Sequence, residues 1–508
     1  MNANPATTAP TGRKKSARSN ERSAGALGHE FQNAHSHEDA KEGDWPVVTL
    51  GEVVDINPRP GDDKLADDSL ASFIPMKCVE EESGRFEPLA DRKVAEVRKG
   101  YTPFRNGDVI FAKVTPCMEN GKAALMKGLT NGIGFGSTEF FALRPADRLD
   151  ATYLLHFVLQ SSFRQQAARN MTGAVGLRRV PKSYMEQQLI PLPPLPEQRR
   201  IVAEIEKQFT RLEAGVAALR RVQANLKRYR AAVLKAACEG RLVPTEAELA
   251  KTGNRKAKFE TGEALLARIL TEHRQNWQGR GQYKEPAASE IVGLPALPVG
   301  WCYASAEQVC STVASGSTPL APKMFSGRGE IPFLKVYNLT HNGALDFSVK
   351  PTFIERHTHD GLLARSRVLP HDVLMNIVGP PLGKVSFVPD SYPEWNINQA
   401  IVVFRPTQAI QNRLLTYWLL SDHVLGRLER TAKATAGQFN LQVTACRKLA
   451  LPLPPLAEQT RIVAEVERRL SVVEELEAMV SANLQRSTRL RQSILQKAFT
   501  GTLISSIV

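Results

Sequence analysis

One long stretch of this chain occurs twice. PPLPEQRRIVAEIE begins at Pro193 and PPLAEQTRIVAEVE at Pro454, 261 residues later, and the register holds without a gap from Pro191/Pro452 through Gly240/Gly501 to Leu242/Leu503. Self-similarity on this scale marks a duplicated module of about half the chain, not a short solenoid repeat. The likeness extends upstream. Trp45 in GDWPVVTLGEVV and Trp301 in VGWCYASAEQV each open a half, GDVIFAKV (Gly107 to Val114) parallels HDVLMNIV (His371 to Val378), and FFALRP (Phe140 to Pro145) parallels IVVFRP (Ile401 to Pro406). A Gly-Lys pair follows the central segment both times, as Gly121-Lys122 and Gly383-Lys384.

Each half therefore predicts short strands with frequent turns up to Pro145 or Pro406. A helix follows (Ala151 to about Asn170; Gln411 to about Ala432), then a Gly-bearing loop and a long helix. The expected class is α+β, with two globular domains of mixed strands and helices joined by two long antiparallel coiled-coil helices with pseudo-two-fold symmetry. The divisions fall at 1–44, a disordered tail rich in Ala, Ser, Asn, Lys and Glu; 45–185, the first globular domain; 186–242, the first helical spacer; 243–297, a helical linker; 298–446, the second globular domain; and 447–508, the second spacer.

The repeated helices are longer than a compact domain needs. Glu197 to Ala237 alone spans about 60 Å at 1.5 Å per residue. Apolar residues recur every seven positions at Ile205, Leu212, Leu219, Leu226 and Val233, and again at Val466, Val473, Val480 and Ile494, with Ser487 interrupting the second series. A narrow stripe of this kind calls for a helical partner. Charge sets the direction: Glu197, Glu204, Glu206 and Glu213 precede Arg220, Arg221, Lys227, Arg228, Arg230 and Lys235, and the second copy repeats the acid-first order, with no acid after Glu477. Antiparallel packing opposes basic ends to acidic ones, and the two globular halves then lie at opposite ends of a rod, the arrangement of a reader of two DNA half-sites.

Length and charge agree with such a role. At 508 residues the chain is long enough for several domains, and its net charge of +14 favours a polyanionic partner. No apolar run suits a bilayer and no signal peptide is evident, so a cytoplasmic location is expected. The six cysteines show no zinc-type spacing and are expected to be reduced thiols.

The tandem Pro-Pro-Leu-x-Glu-Gln-x-x-Ile-Val helices, the Gly-Trp opening of the second half, the Gly-Asp-Val-Ile-Phe strand and the Arg-Pro close of the sheet resemble the specificity subunit of type I restriction-modification systems, over roughly residues 45 to 503. The resemblance implies a non-catalytic subunit whose two target recognition domains, 45–185 and 298–446, read an asymmetric bipartite duplex DNA site. It also implies docking to two methylation subunits and to restriction subunits that translocate and cleave. No cofactor is expected on this chain; S-adenosylmethionine, ATP and Mg²⁺ belong to those partners. The alternative is a coiled-coil scaffold that binds acidic proteins without DNA specificity.

Catalytic motifs are missing, as a reader requires. Gly379-Pro-Pro-Leu-Gly383-Lys384-Val385 is one residue short of a phosphate loop and lacks its hydroxyl. Gly132-Ile-Gly134-Phe-Gly136 precedes a strand instead of opening a helix. His357-Thr-His359-Asp360 has no further metal ligands beside it. DNA contacts are therefore sought among basic and amide side chains in loops common to both halves. After the central strand these are Lys113 and Lys122, and Asn376 and Lys384. Before the long helix they are Arg178 and Arg179 for phosphate or guanine, and Gln438 and Asn440 for adenine, in aligned segments that begin at Gly176 and Gly437. Gln399 is a further candidate.

Overall fold

A computed structural model describes residues 45–505 apart from 59–65, 175, 253–258, 279–280, 380, 432 and 436–437. The tail at 1–44 and Gly437 lie outside the described residues. The chain forms two compact units, one gathering residues up to 214 with those from 487 onward, the other residues 215–486. Among the described residues no helix is long and apolar enough to cross a membrane.

In the first unit an antiparallel sheet has the strand order Val54–Ile56, Phe140–Pro145, Val109–Ala112, Ala123–Leu125. A second sheet runs Ala90–Lys93, Leu70–Ile74, Ile133–Gly136, Thr102–Arg105, with Leu70–Ile74 parallel to Ile133–Gly136. Apolar residues on both faces of Val109–Ala112 explain its central place: Val109 and Phe111 enter one core, Ile110 and Ala112 the other. The glycines of Ile133–Gly136 are required by contact, because a Cβ on Gly134 would lie 2.5 Å from the Phe104 ring and one on Gly136 2.5 Å from the Ile74 carbonyl oxygen.

The second unit repeats the plan. One sheet runs Cys310–Ser315, Ile401–Pro406, Val373–Asn376, Val385–Phe387, and the other contains the parallel pair Ile331–Leu334 and Trp395–Ile397. The helix expected after each Arg-Pro strand is in fact two, Ala151–Val158 with Ser161–Arg169, and Asn412–Leu420 with Asp422–Thr431. Both breaks have the same cause: Gln160 (φ −61°, ψ 134°) and Ser421 (φ −74°, ψ 136°) are extended. The linker helix Gly262–Gln275 buries Leu265 and Ile269 in the core of this unit.

The long helices are Leu195–Cys238 and Leu456–Phe499. Each is 44 residues, or about 66 Å. Their ends belong to the globular cores. In the first unit Ile201, Ile205 and Phe209 pack with Ile494, Leu495, Ala498 and Phe499 against the Ala151–Val158 helix. In the second, Val233, Leu234 and Ala237 pack with Ile462, Val463 and Val466. The second unit also holds a helix-on-helix seam of Leu219 and Leu226 with Val473, Val480 and Leu484. Arg491 lies 3.4 Å from Glu213 in one unit, and Arg230 lies 3.0 Å from Glu477 in the other, so within each unit the basic end of one helix meets the acidic front of its partner, antiparallel. The seven-residue stripe thus serves two purposes, feeding the globular cores and pairing helices. Leu212, within it, is only half-buried.

Candidate nucleic-acid interface

The repeated motifs build a scaffold before they build a site. Asp108 is buried at the start of the central strand, and Arg144 donates from Nε to its Oδ1 and from Nη2 to its Oδ2, both at 2.8 Å. Asp372 and Arg405 repeat this clasp at 2.9 and 2.7 Å. Each aspartate also caps its own turn, accepting from the Arg105 N–H at 2.9 Å or the Leu369 N–H at 2.8 Å. The Arg of each Arg-Pro is therefore spent on structure.

The Gln of each PPLxEQ is likewise internal. Gln198 is buried and accepts from the Asp150 N–H (2.8 Å) while donating to the Arg148 (2.9 Å) and Pro193 (2.8 Å) carbonyls. Gln459 does the same with the Gln411 N–H and the Ala409 and Pro454 carbonyls. These amides fix the start of each long helix to the helix that follows the Arg-Pro strand. Glu458, also buried, accepts from the Trp301 indole N–H (2.9 Å) and the Glu246 N–H (3.1 Å), and burial raises its carboxyl above the usual range. The Gly-Trp opening is thereby tied to the second PPLxEQ.

On this scaffold the two loop sets meet. Val180 N–H donates to the Lys113 carbonyl at 2.9 Å, and Leu441 N–H to the Ile377 carbonyl at 2.8 Å. Lys113 N–H bonds the Glu139 carbonyl at 2.9 Å, as Ile377 N–H bonds that of Ala400 at 2.8 Å. Each half so presents a hairpin docked beside its central strand. In the first, Thr172 pairs with Arg179, and Gly176 (φ +86°) supplies a left-handed turn residue. In the second, Lys433–Thr435 pairs with Gln438–Asn440, which also pairs with Val378–Gly379.

The candidate side chains differ in what they offer. Arg179 is exposed and clasps Glu139, with Nε 2.9 Å from Oε2 and Nη2 2.6 Å from Oε1; this lowers the Glu139 carboxyl below its ordinary range. Lys113 is half-buried with Nζ 5.3 Å from the centre of the Phe141 ring, and burial lowers its ammonium pKa. Arg178 donates from Nη2 to the Ala168 and Met171 carbonyls, each at 3.2 Å. Lys122 and Lys384 hold equivalent carbonyls, Met76 and Val336, both at 3.3 Å. Asn440 is exposed, Gln399 is exposed and contacts the Thr318 hydroxyl, and Gln438 lies in the hairpin strand.

Asn376 requires a correction. It is fully buried, donates to the Val378 (3.1 Å) and Pro381 (3.0 Å) carbonyls and accepts from the Lys384 N–H (2.9 Å), so it shapes the loop and does not reach DNA. Glu139, by contrast, escaped the sequence reading. Its signal is a difference between the halves: counted from the Arg-Pro strands, Glu139 aligns with Ala400.

Other chemistry is accounted for structurally. Gly132 to Gly136 ends in a strand packed on Phe104. His359 is buried with Nδ1 3.0 Å from Asn396 Nδ2, and no cluster of three metal-ligating side chains occurs among the described residues. Burial pushes the thiols of Cys238 and Cys446 up to about 12, opposite to what a nucleophile needs.

Comparison with known proteins agrees with this architecture. A family model described as the type I restriction modification DNA specificity domain matches residues 42–218 and again 298–478. The chain is 27% identical over 515 residues to the type I restriction enzyme EcoEI specificity subunit of Escherichia coli, covering 89% of this chain and 82% of that relative. Against the EcoAI specificity subunit of the same organism it is 24% identical over 506 residues, with the same coverage. A solved chain described as "Structural basis underlying complex assembly and conformational transition of the type I R-M system" shares the fold, with a TM-score of 0.61 at 22% identity over 90% of this chain and 98% of that one.

Proposed function

Because the chain belongs to the type I restriction-modification DNA specificity family, we propose that its two hairpins read the two parts of a bipartite duplex site for a complex whose catalytic residues lie on other chains. The protein is a non-catalytic DNA-recognition subunit. The observation that carries the finer reading is the duplicated docking of hairpin on central strand, with the same backbone hydrogen bonds and different side chains in each half. Recognition needs this division, since a shared frame sets position while varied side chains read base edges.

Its partners are DNA and methylation or restriction subunits. A pair of methylation subunits, with S-adenosylmethionine on them and ATP and Mg²⁺ on the restriction subunits, completes the proposal, in the cytoplasm. One flank of the helix pair in the second unit suits such docking. Val222 and Tyr229 lie three positions after the seam residues Leu219 and Leu226. Leu476 lies three after Val473, and Val472 and Met479 lie one before Val473 and Val480. In an antiparallel pair this places all five on the same side, away from Arg230 with Glu474 and Glu477, and all five are exposed.

Duplex binding by the chain purified with its methylation subunit tests the reading. Affinity is expected to fall with salt and to depend on sequence; indifference to both sinks it and favours the scaffold alternative. Inserting one helical turn between Leu212 and Leu226 is expected to change the tolerated spacer in a methylated-adenine map, and an unchanged spacer counts against the helices as its ruler. Leu476→Asp with Met479→Asp is expected to abolish co-purification with the methylation subunit; retention excludes that flank.

A further inference from the structure

We propose, resting on the DNA-reading function above, that Glu139 is a positioning residue that holds Arg179 as a guanine reader, so that the target contains a G·C pair recognised through this arginine. An arginine reads guanine by aiming two parallel N–H groups at O6 and N7. A free side chain must lose rotamer entropy to do so, whereas a guanidinium already clamped does not.

Arg179 is clamped on two sides. Glu139 takes its Nε and Nη2, and the Leu177 carbonyl takes Nη1 at 3.2 Å. The guanidinium has five N–H groups, so one remains on each of Nη1 and Nη2, a pair on adjacent nitrogens. The side chain is 45% exposed, and Leu177 beside it is exposed as well. Glu139 is anchored through its backbone: its carbonyl accepts from Lys113 N–H at 2.9 Å and its own N–H donates to the Ser137 hydroxyl at 3.2 Å, which sets the point from which the carboxylate reaches Arg179. Arg178, the neighbouring candidate, is excluded as the guanine reader because its Nη2 is held by two backbone carbonyls.

The second half supplies an internal comparison. Where Arg179 has Asn440 as its counterpart, Glu139 has Ala400. Support and reader change together, as they must if the carboxylate serves the arginine and not the scaffold. The frame beneath, Ile377 N–H to Ala400 carbonyl, is intact without it.

The test uses the complex with its methylation subunit, a methylated-adenine map to define the target, and duplexes substituted at each target position in turn. Wild type is expected to discriminate at one G·C pair by about 5- to 150-fold. Glu139→Gln and Arg179→Lys are each expected to erase most of that preference at the same pair while sparing the other positions, and the double variant to do no more. Uniform weakening across all sequences, with the salt slope reduced by about 1, would make Arg179 a phosphate contact and overturn the proposal. An unchanged preference in Glu139→Gln would reduce the pair to a surface ion pair and overturn it too. A wild-type complex without any sequence preference overturns the DNA-reading function itself, which separates that failure from failure of Glu139.

Discussion

At the hairpin before the first long helix, Arg179 stands 2.6 Å from Glu139; at the matching register before the second, Asn440 is exposed and Ala400 takes the place of the carboxylate. A few residues away the halves cease to differ. Asp108 with Arg144 and Asp372 with Arg405 make the same two-bond clasp, and Gln198 and Gln459 make the same three bonds. After duplication these buried polar contacts have been kept, while the outward-facing side chains of the hairpins have diverged. Buried polar groups resist exchange because each lost partner leaves a desolvated donor or acceptor; an exposed hairpin residue has no such constraint.

The hardest way to break this comparison is to cut the clasps. Arg144→Ala and Arg405→Ala each leave a buried aspartate without its cation and are expected to destabilise their own unit by about 3 to 5 kcal/mol. Thermal unfolding of the two variants should show similar losses. A large loss in one and none in the other would mean that the equivalent geometry does not carry equivalent energy.

This scaffold was legible to an unequal degree. The repeat, the strands between Trp45 and Pro145 and the antiparallel helices follow from patterns in one dimension, such as period and charge order. The Arg-Pro motif was visible but its partner was not, because Asp108 and Arg144 lie 36 positions apart and meet only across neighbouring strands. Asn376 looked like a loop amide and proved to be the amide that closes its loop. The breaks at Gln160 and Ser421, where the backbone is extended, carry no proline or glycine to announce them. Glu139 was overlooked for the reason Asp108 was: its meaning lies in a through-space partner, 40 residues away.

A smaller effect separates the halves at Glu458. Its carboxyl is raised by burial, so its contribution to stability is complete below the unfolded value near 4.5 and falls away as pH rises through the raised one. Glu458→Gln has no proton to lose, but the Trp301 indole and the Glu246 N–H bond different carboxyl oxygens, and the amide puts an NH₂ donor in place of one of them. The variant is expected to lose about 1 to 3 kcal/mol at pH 4, and the gap in Tm from wild type should narrow towards pH 7. A gap constant across that range would remove Glu458 as its source. Glu197, the matching residue, is only half-buried, so Glu197→Gln should shift Tm less.

Asn440 sharpens the comparison from the other side. With no carboxylate behind it, its amide is expected to contribute roughly tenfold in discrimination at one base pair, at the lower end for such contacts. Asn440→Ala should lose that preference and leave the G·C preference assigned to Arg179 intact. Binding to the same set of substituted duplexes checks both. If Asn440→Ala alters the Arg179 position as well, the halves do not read independently.

The least effect is expected where sequence alone made the strongest electrostatic suggestion. Lys122 and Lys384 occupy equivalent places after the central strand, and each directs its ammonium to a backbone carbonyl at 3.3 Å, Met76 in one half and Val336 in the other. A lysine that neutralises a phosphate releases a counterion, so its removal lowers the slope of log affinity against log salt by about 1. A lysine that satisfies a carbonyl leaves that slope alone and costs only its hydrogen bond, about 1 kcal/mol. Lys122→Met and Lys384→Met are therefore expected to lower Tm slightly, by similar amounts, and to leave the salt slope of duplex binding unchanged. A reduced slope in either variant would show that its ammonium leaves the carbonyl for DNA, and a reduction in one half alone would mean that the divergence between the two readers reaches into the frame they share.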